Sequence, residues 1–285
     1  SFKKNLKVLY IVHPSFWTKV FIATFTKILS SSSNTSDASD YTPPETKSSN
    51  VFGVPLERLM GDEGELGIPK VVSDAIEFLL ENGLEEEGLF RRSPSIHLIK
   101  TVKEAYNSGN PNITIQTLNS PHLAAVILKT FVRELPKPIF PSEFYPEFRK
   151  LNYEMETSEL AVKINENILD KISTNNRLLF AEICRLLKEV NAHSEVNLMS
   201  ASNLAIVWAP NLVKSGKPLE DFEMATVAPE GTVGAFVRWA IENYDILFAF
   251  HNLTATTSIT ESYSISEGVK PRSVIYRSNN IKRNW

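Results

Sequence analysis

The chain has 285 residues, 42% hydrophobic and 22% charged, with a formal net charge of -3. Those values describe one or two globular domains with enough apolar material for a sizeable core, and they exclude a global electrostatic pull toward nucleic acid, so any charge recognition must be local. The single cysteine, Cys184, excludes a disulfide framework and a paired-cysteine zinc site and makes a cytoplasmic location the default.

Residues 7–12 (KVLYIV) read as a buried strand and residues 16–29 (FWTKVFIATFTKIL) as a helix apolar on most sides. Lys19 and Lys27 interrupt that helix, and it is shorter than the ~20 residues a membrane span requires. Two readings stay open for it: the remnant of a larger domain, or an amphipathic helix lying at a membrane surface. The chain opens on Ser1 with no initiating methionine, as a fragment or an incomplete gene model would. Sequons at Asn34, Asn112 and Asn252 lack a signal peptide and read as chance.

Residues 30–50 are rich in serine, contain the Pro43-Pro44 pair and carry almost nothing apolar, so they cannot offset their ordering entropy. They read as a disordered linker spanning roughly 25 Å.

From residue 51 to about 250 the pattern is helical, and one all-α domain is expected. Val71, Val72, Ala75, Ile76, Leu79 and Leu80 form one apolar stripe at steps of three and four. Leu178, Leu179, Ile183, Leu186, Leu187 and Val190 form another. Further helices are predicted over 94–107, 121–134, 157–172, 200–209 and 231–249, punctuated by Asn107-Ser108-Gly109 and by Leu135-Pro136-Lys137-Pro138. Residues 251–285 read as a disordered tail with a modest basic cluster of Lys270, Arg272, Arg277, Lys282 and Arg283.

Self-sufficient catalytic motifs are missing: there is no phosphate-binding glycine loop, no HExxH, no GxSxG and no metal site. Three stretches remain. The first is GLFRRS, Gly88 to Ser93, a loop between two helices in which Ser93 is predicted to cap the next helix and Pro94 to open it. Arg91 and Arg92 present planar five-donor forks suited to phosphate or carboxylate, or else pair with Glu85, Glu86 and Glu87 as solvated surface charges.

The second stretch is PHLAAVILKTFVRE (121–134). Leu123, Val126, Ile127, Thr130 and Phe131 are predicted to face the core, while Lys129 and Arg133 share the other face one turn apart. The third is SNLAIVWAPNL (202–212), where Pro210 is predicted to stop a helix and leave Asn211 just beyond its end, as a cap or as a contact to a partner. Taken singly, each stretch has an ordinary structural explanation.

Together, in order and spacing, GLFRRS, LKTFVRELPKPI and SNLAIVWAPNL resemble the Rho-type GTPase-activating (RhoGAP) domain, and the match covers Val51 to about Phe250. The strand, HPSFW and helix at the N-terminus resemble the closing segment of an α/β CRAL-TRIO-like lipid-binding domain, which precedes the RhoGAP domain in one subgroup. The resemblance therefore implies a CRAL-TRIO-like remnant at 1–29, the linker at 30–50, a RhoGAP domain at 51–250 and the tail at 251–285. One strand with one helix cannot enclose a lipid, so peripheral membrane contact is expected only from a longer parent chain, with recruitment from the cytoplasm to membranes.

The resemblance also implies a regulator of an enzyme. It would stimulate GTP hydrolysis by GTP-bound Rho-family small GTPases and complete their active site, with GTP and magnesium held by the partner and no cofactor of its own. Arg91 matches the arginine finger. Lys129 and Arg133 match the basic positions that hold the finger loop and contact the GTPase, Asn211 matches the asparagine that engages its switch region, and Arg92 is expected to steady the loop at the partner-binding face. Pro94, Ile139 and Trp208-Ala209 depart from the commonest family residues without removing a group the mechanism needs. The alternative is a silent module of the same fold that binds a GTPase without accelerating hydrolysis.

Overall fold

The computed structural model describes residues 50–110, 112–228 and 230–249. The predicted strand at 7–12, the helix at 16–29, nearly all of the linker and the tail from 251 lie outside these residues. Twelve α-helices carry the described fold: α1 (Leu56–Met60), α2 (Lys70–Asn82), α3 (Ile96–Ser108), α4 (Ile115–Leu118), α5 (Pro121–Glu134), α6 (Tyr145–Arg149), α7 (Thr157–Ile164), α8 (Thr174–Ala192), α9 (Ser194–Asn197), α10 (Ala201–Leu212), α11 (Pro218–Met224) and α12 (Val233–Glu242). Among the described residues the only extended pairing is one isolated parallel bridge between Phe140 and Val213. Over the described residues the fold is all-α, as expected for 51–250.

Helix α5 is the centre. Ser120 caps it by accepting from the Leu123 amide, and Pro121 opens it without wasting an N–H. Nine of its residues, Leu123 to Leu128 and Thr130 to Val132, are buried, because α2, α3 and α10 pack around it. The expected core face is therefore correct and wider than one stripe. On the far side of α10, helix α12 packs closely. At the start of α12 a Cβ on Gly234 would stand 2.0 Å from the Thr226 carbonyl oxygen, so only glycine permits the close approach of α12 to the backbone that follows α11.

Phe140, Phe148, Phe180 and Phe236 form an aromatic cluster with ring centroids 4.9 to 5.5 Å apart, in which Phe140 meets the other three edge-on and Phe180 stacks on Phe236. Each buried ring contributes about 1.5–3 kcal/mol from burial alone. On α2, Val71, Val72, Ala75, Ile76 and Leu79 are buried as the stripe predicts, whereas Leu80 is half-buried and Phe78 is buried instead. On α8, Leu178 stays exposed and Phe180 and Cys184 join the core.

Several boundaries differ from expectation. Helix α3 begins at Ile96, and Ser95, not Ser93, caps it by accepting from the Leu98 amide at 3.4 Å. Both serines are able to cap; residues 83–92 are held elsewhere, which leaves Ser93 and Pro94 outside the helix. The helix predicted over 157–172 is α7 followed by a π-turn at Asn165–Leu169, where Asn165 donates its side-chain amide to the Ala161 and Leu247 carbonyls. Pro210 does not stop α10, which runs to Leu212. An interior proline costs roughly 3 kcal/mol, and the packing of α10 against α5, α8 and α12 offsets it. The helix predicted over 231–249 is α12, broken at Asn243, after which helical geometry resumes over 244–249.

Candidate functional site

The loop between α2 and α3 is built from the inside outward. Gly88 takes φ +69°, a left-handed conformation natural to glycine, and its carbonyl accepts from the amides of Arg91 (2.9 Å) and Arg92 (3.1 Å). Its own amide donates to the Asn197 carbonyl at 2.8 Å. Leu89 and Phe90 are fully buried, while Arg91 and Arg92, next along the chain, are exposed.

Phe90 also has a positive φ, +66°, which is unusual for a bulky residue and persists only where the surroundings over-determine it. Two contacts do so. Its ring packs edge-on to Trp208, centroids 5.3 Å apart, and its carbonyl oxygen accepts a hydrogen bond from Lys129 Nζ. The tight turn thereby sends its two arginines outward from a fixed base.

The two arginines differ. Arg92 pairs through Nη2 with Glu87 Oε1, the loop-steadying contact anticipated from the acidic run. The Arg91 guanidinium has no ion pair or hydrogen bond among the described residues. The loop is also tied to α5 where His122 Nε2 lies 3.0 Å from Glu86 Oε1.

Lys129 is half-buried, and its amine is pushed down from the ordinary 10.5 to about 8, first by burial and then by the Arg133 charge one turn away. Arg133 is exposed, with Nη2 3.3 Å from Thr130 Oγ1. Arg133 and Asn211 line a common depression of about 260 Å³ together with Pro138, Pro210 and Lys214. Asn211 lies inside the last turn of α10 and donates Nδ2 to the Val207 carbonyl at 2.8 Å. It is a helix-internal cap, and its side-chain oxygen receives no hydrogen bond among the described residues.

Lys129, Arg133, Asn211 and the loop of Arg91 and Arg92 are thus joined. Phe90 links the loop to Lys129 and Trp208; one turn of α5 links Lys129 to Arg133; the depression links Arg133 to Asn211; and one turn of α10 links Asn211 back to Trp208.

Three contributors were not anticipated. Asn197, fully buried, donates to the carbonyls of Leu84 (2.7 Å) and Val190 (2.8 Å) and accepts from the Met199 amide (2.7 Å). It therefore holds the start of the arginine loop, the end of α8 and the approach to α10 together. An amide side chain between Val196 and Leu198 was the available signal. Lys214 adds a cation beside Asn211, and Trp208 carries a buried Nε1 donor with no acceptor among the described residues.

An unpaired arginine on a braced loop of an all-α domain, flanked by further cations, is chemically suited to a phosphate or a carboxylate. The RhoGAP domain family matches residues 69–217, more than half of the chain, and the divergent CRAL/TRIO domain family matches residues 1–37. The chain belongs to the RhoGAP family.

Rho GTPase-activating protein gacY of Dictyostelium discoideum is 31% identical over 274 residues, covering 88% of this chain and 37% of that protein. Rho GTPase-activating protein 8 of Mus musculus is 30% identical, covering 87% and 67%. The crystal structure of human Rho GTPase activating protein 15 superposes with a TM-score of 0.59 at 23% identity over 70% of this chain and 92% of that one, which is a likeness of fold. The chain thus spans between 37% and 67% of the length of these two relatives. Among the described residues no helix is long and apolar enough to cross a membrane, and no group of three His, Cys, Asp or Glu is placed to hold a metal ion.

Proposed function

We propose that this protein is a GTPase-activating protein that stimulates GTP hydrolysis by Rho-family small GTPases, with Arg91 as the arginine supplied in trans. The observation that carries the reading is the division of labour at the loop. Arg92 is engaged by Glu87, while Arg91 projects without a partner among the described residues from a turn braced by Lys129, Trp208 and Asn197.

Phosphoryl transfer to water builds charge on the transferring group and the leaving oxygen, and the GTPase supplies the magnesium and positions the water. A preorganised guanidinium brought to that charge needs no reorganisation at the moment of reaction. Such an arginine is worth about 10³ to 10⁵ in rate, or roughly 4–7 kcal/mol. Arg133, Lys214 and Asn211 would hold the GTP-loaded partner across the depression they line, and Lys129 would hold the finger loop at its base. The match of residues 1–37 to the CRAL/TRIO family supports a peripheral lipid contact through the N-terminal segment in a longer parent chain.

The test is single-turnover GTP hydrolysis by a panel of purified Rho-type GTPases at saturating activator. Stimulation of at least one member, lost in Arg91→Ala with binding of the GTP-loaded partner kept within a few-fold, is expected. Binding without stimulation by the wild-type chain would establish the silent interaction module instead.

A further inference from the structure

The serine that does not cap α3 is left in an unusual position. Ser93 is exposed, outside any helix, and its hydroxyl has no hydrogen bond among the described residues. Pro94 follows it, and a residue before proline is driven toward the extended region. Ser95, at φ −61° and ψ 142°, continues the extended run up to the helix. Residues 93–95 therefore form a short non-helical run, extended at Ser95 and biased to extension at Ser93, with both serines exposed and Pro94 half-buried; an extended segment is what a protein kinase cleft accepts, and proline lacks the N–H that the residue after a phosphorylated serine would otherwise present.

The chain contains one other Ser-Pro pair, at Ser120-Pro121, and it is a useful contrast. Ser120 is half-buried and its side chain accepts from the Leu123 amide as the cap of α5. The two dipeptides are chemically alike, and only the one beside the arginine pair is free.

We propose that Ser93 is a phosphorylation site for a proline-directed serine/threonine kinase, and that its phosphate switches off the arginine two residues upstream. In the transfer, a bond forms between Ser93 Oγ and the γ-phosphorus of ATP, the bond from that phosphorus to the β,γ-bridging oxygen breaks, ADP leaves, and the hydroxyl proton passes to the kinase's base. The product carries about −1.5 to −2 charges at pH 7 and three strong acceptor oxygens.

Arg91 lies two residues away, at most about 7 Å of backbone, so its guanidinium reaches the new phosphate. Arg92 is already engaged by Glu87, which leaves Arg91 as the adjacent unpaired cation. A bidentate pair with phosphoserine would hold Arg91 against its own chain. The added negative charge would also oppose the approach of the nucleotide's phosphates. Both effects have the same sign. The switch rests on the reading of Arg91 given above; the modification site does not.

The full chain and Ser93→Ala are incubated with a purified proline-directed kinase and ATP, the phosphorylated residues are mapped by mass spectrometry, and stimulated single-turnover hydrolysis is measured before and after. The expected result is phosphate on Ser93 and none on Ser120. The treated wild type should lose stimulation by about tenfold or more, the scale of one charge-assisted contact. Treated Ser93→Ala should keep its rate, and phosphatase should restore the wild type. Absence of phosphate on Ser93 overturns the site, and full occupancy with an unchanged rate overturns the switch. If untreated wild type fails to stimulate any GTPase, the activator reading and the switch fall together, while phosphate mapped to Ser93 still establishes the site.

Discussion

The amine of Lys129 donates its hydrogen bond to the carbonyl oxygen of Phe90, the residue immediately before Arg91. A cation one turn from Arg133 is thereby committed to the base of the arginine loop, and the cost of burying it is visible in its lowered affinity for a proton. That commitment sets a prediction in pH.

For Lys129 the folded value of about 8 lies below the ordinary 10.5. Below pH 8 both states hold the proton and the full cost of burying the charge is present. Between pH 8 and 10.5 the unfolded chain binds a proton that the folded chain has released, so this residue's contribution to stability improves as pH rises through that window. Melting curves at pH 7 and pH 9.5 should show wild type gaining relative to Lys129→Met. Stimulated hydrolysis should move the opposite way and decline through pH 8 as the loop loses its charged anchor. Parallel melting shifts in the two proteins would show that Lys129 stays charged.

Arg91 and Arg92 separate by rate. Arg91→Ala should reduce maximal stimulation by about 10³ or more, and Arg91→Lys should recover little of it, because an ammonium cannot reproduce the two-pronged contact. Arg92→Ala breaks only the exposed pair with Glu87, worth about 0–1 kcal/mol, and should cost less than tenfold. A larger loss from Arg92→Ala than from Arg91→Ala would exchange their roles.

Asn197→Ala is expected to be among the costlier single changes in the domain. It deprives the half-buried Leu84 carbonyl and the buried Met199 amide of their partner, about 2–4 kcal/mol. For a domain of this size that is a fall in Tm of roughly 5–15 °C. The stimulated rate should fall as well at temperatures where the variant is folded, because Gly88 is anchored on the same residue. A variant melting within a degree or two of wild type would remove Asn197 from this role.

Asn211→Ala removes a bond to the Val207 carbonyl that a helix does not strictly need, so α10 should stay folded with a loss near 1 kcal/mol. The expected change is instead a weaker complex with the GTP-loaded partner, about tenfold in Kd, with unchanged circular dichroism. If stability falls and Kd does not, the side chain is a cap and nothing more.

Local chemistry decided a large part of this protein. The span of α5 and the buried stripe of α2 follow from apolar spacing, and the class of the fold follows from helical periodicity without competing alternation. Arg91, Lys129, Arg133 and Asn211 stood out as residue types in a spacing, and their family resemblance was legible before any coordinates. Interactions of short range leave their mark on neighbouring residues, and those marks are readable.

Long-range packing decided the rest. Ser93 and Ser95 are equal candidates for a cap, and the choice fell to Ser95 because the loop before it is tied to Asn197, Lys129 and Trp208, residues remote in the chain. Pro210 is a helix stop by local rules, yet α10 continues because the helices around it supply more stabilisation than one missing hydrogen bond removes. Which arginine is free, that Lys129 is half-buried, and that Arg133 meets Asn211 across one depression depend on how α5 and α10 come together. A contact between distant segments is an energy of the packed state, and no window of sequence contains both of its partners.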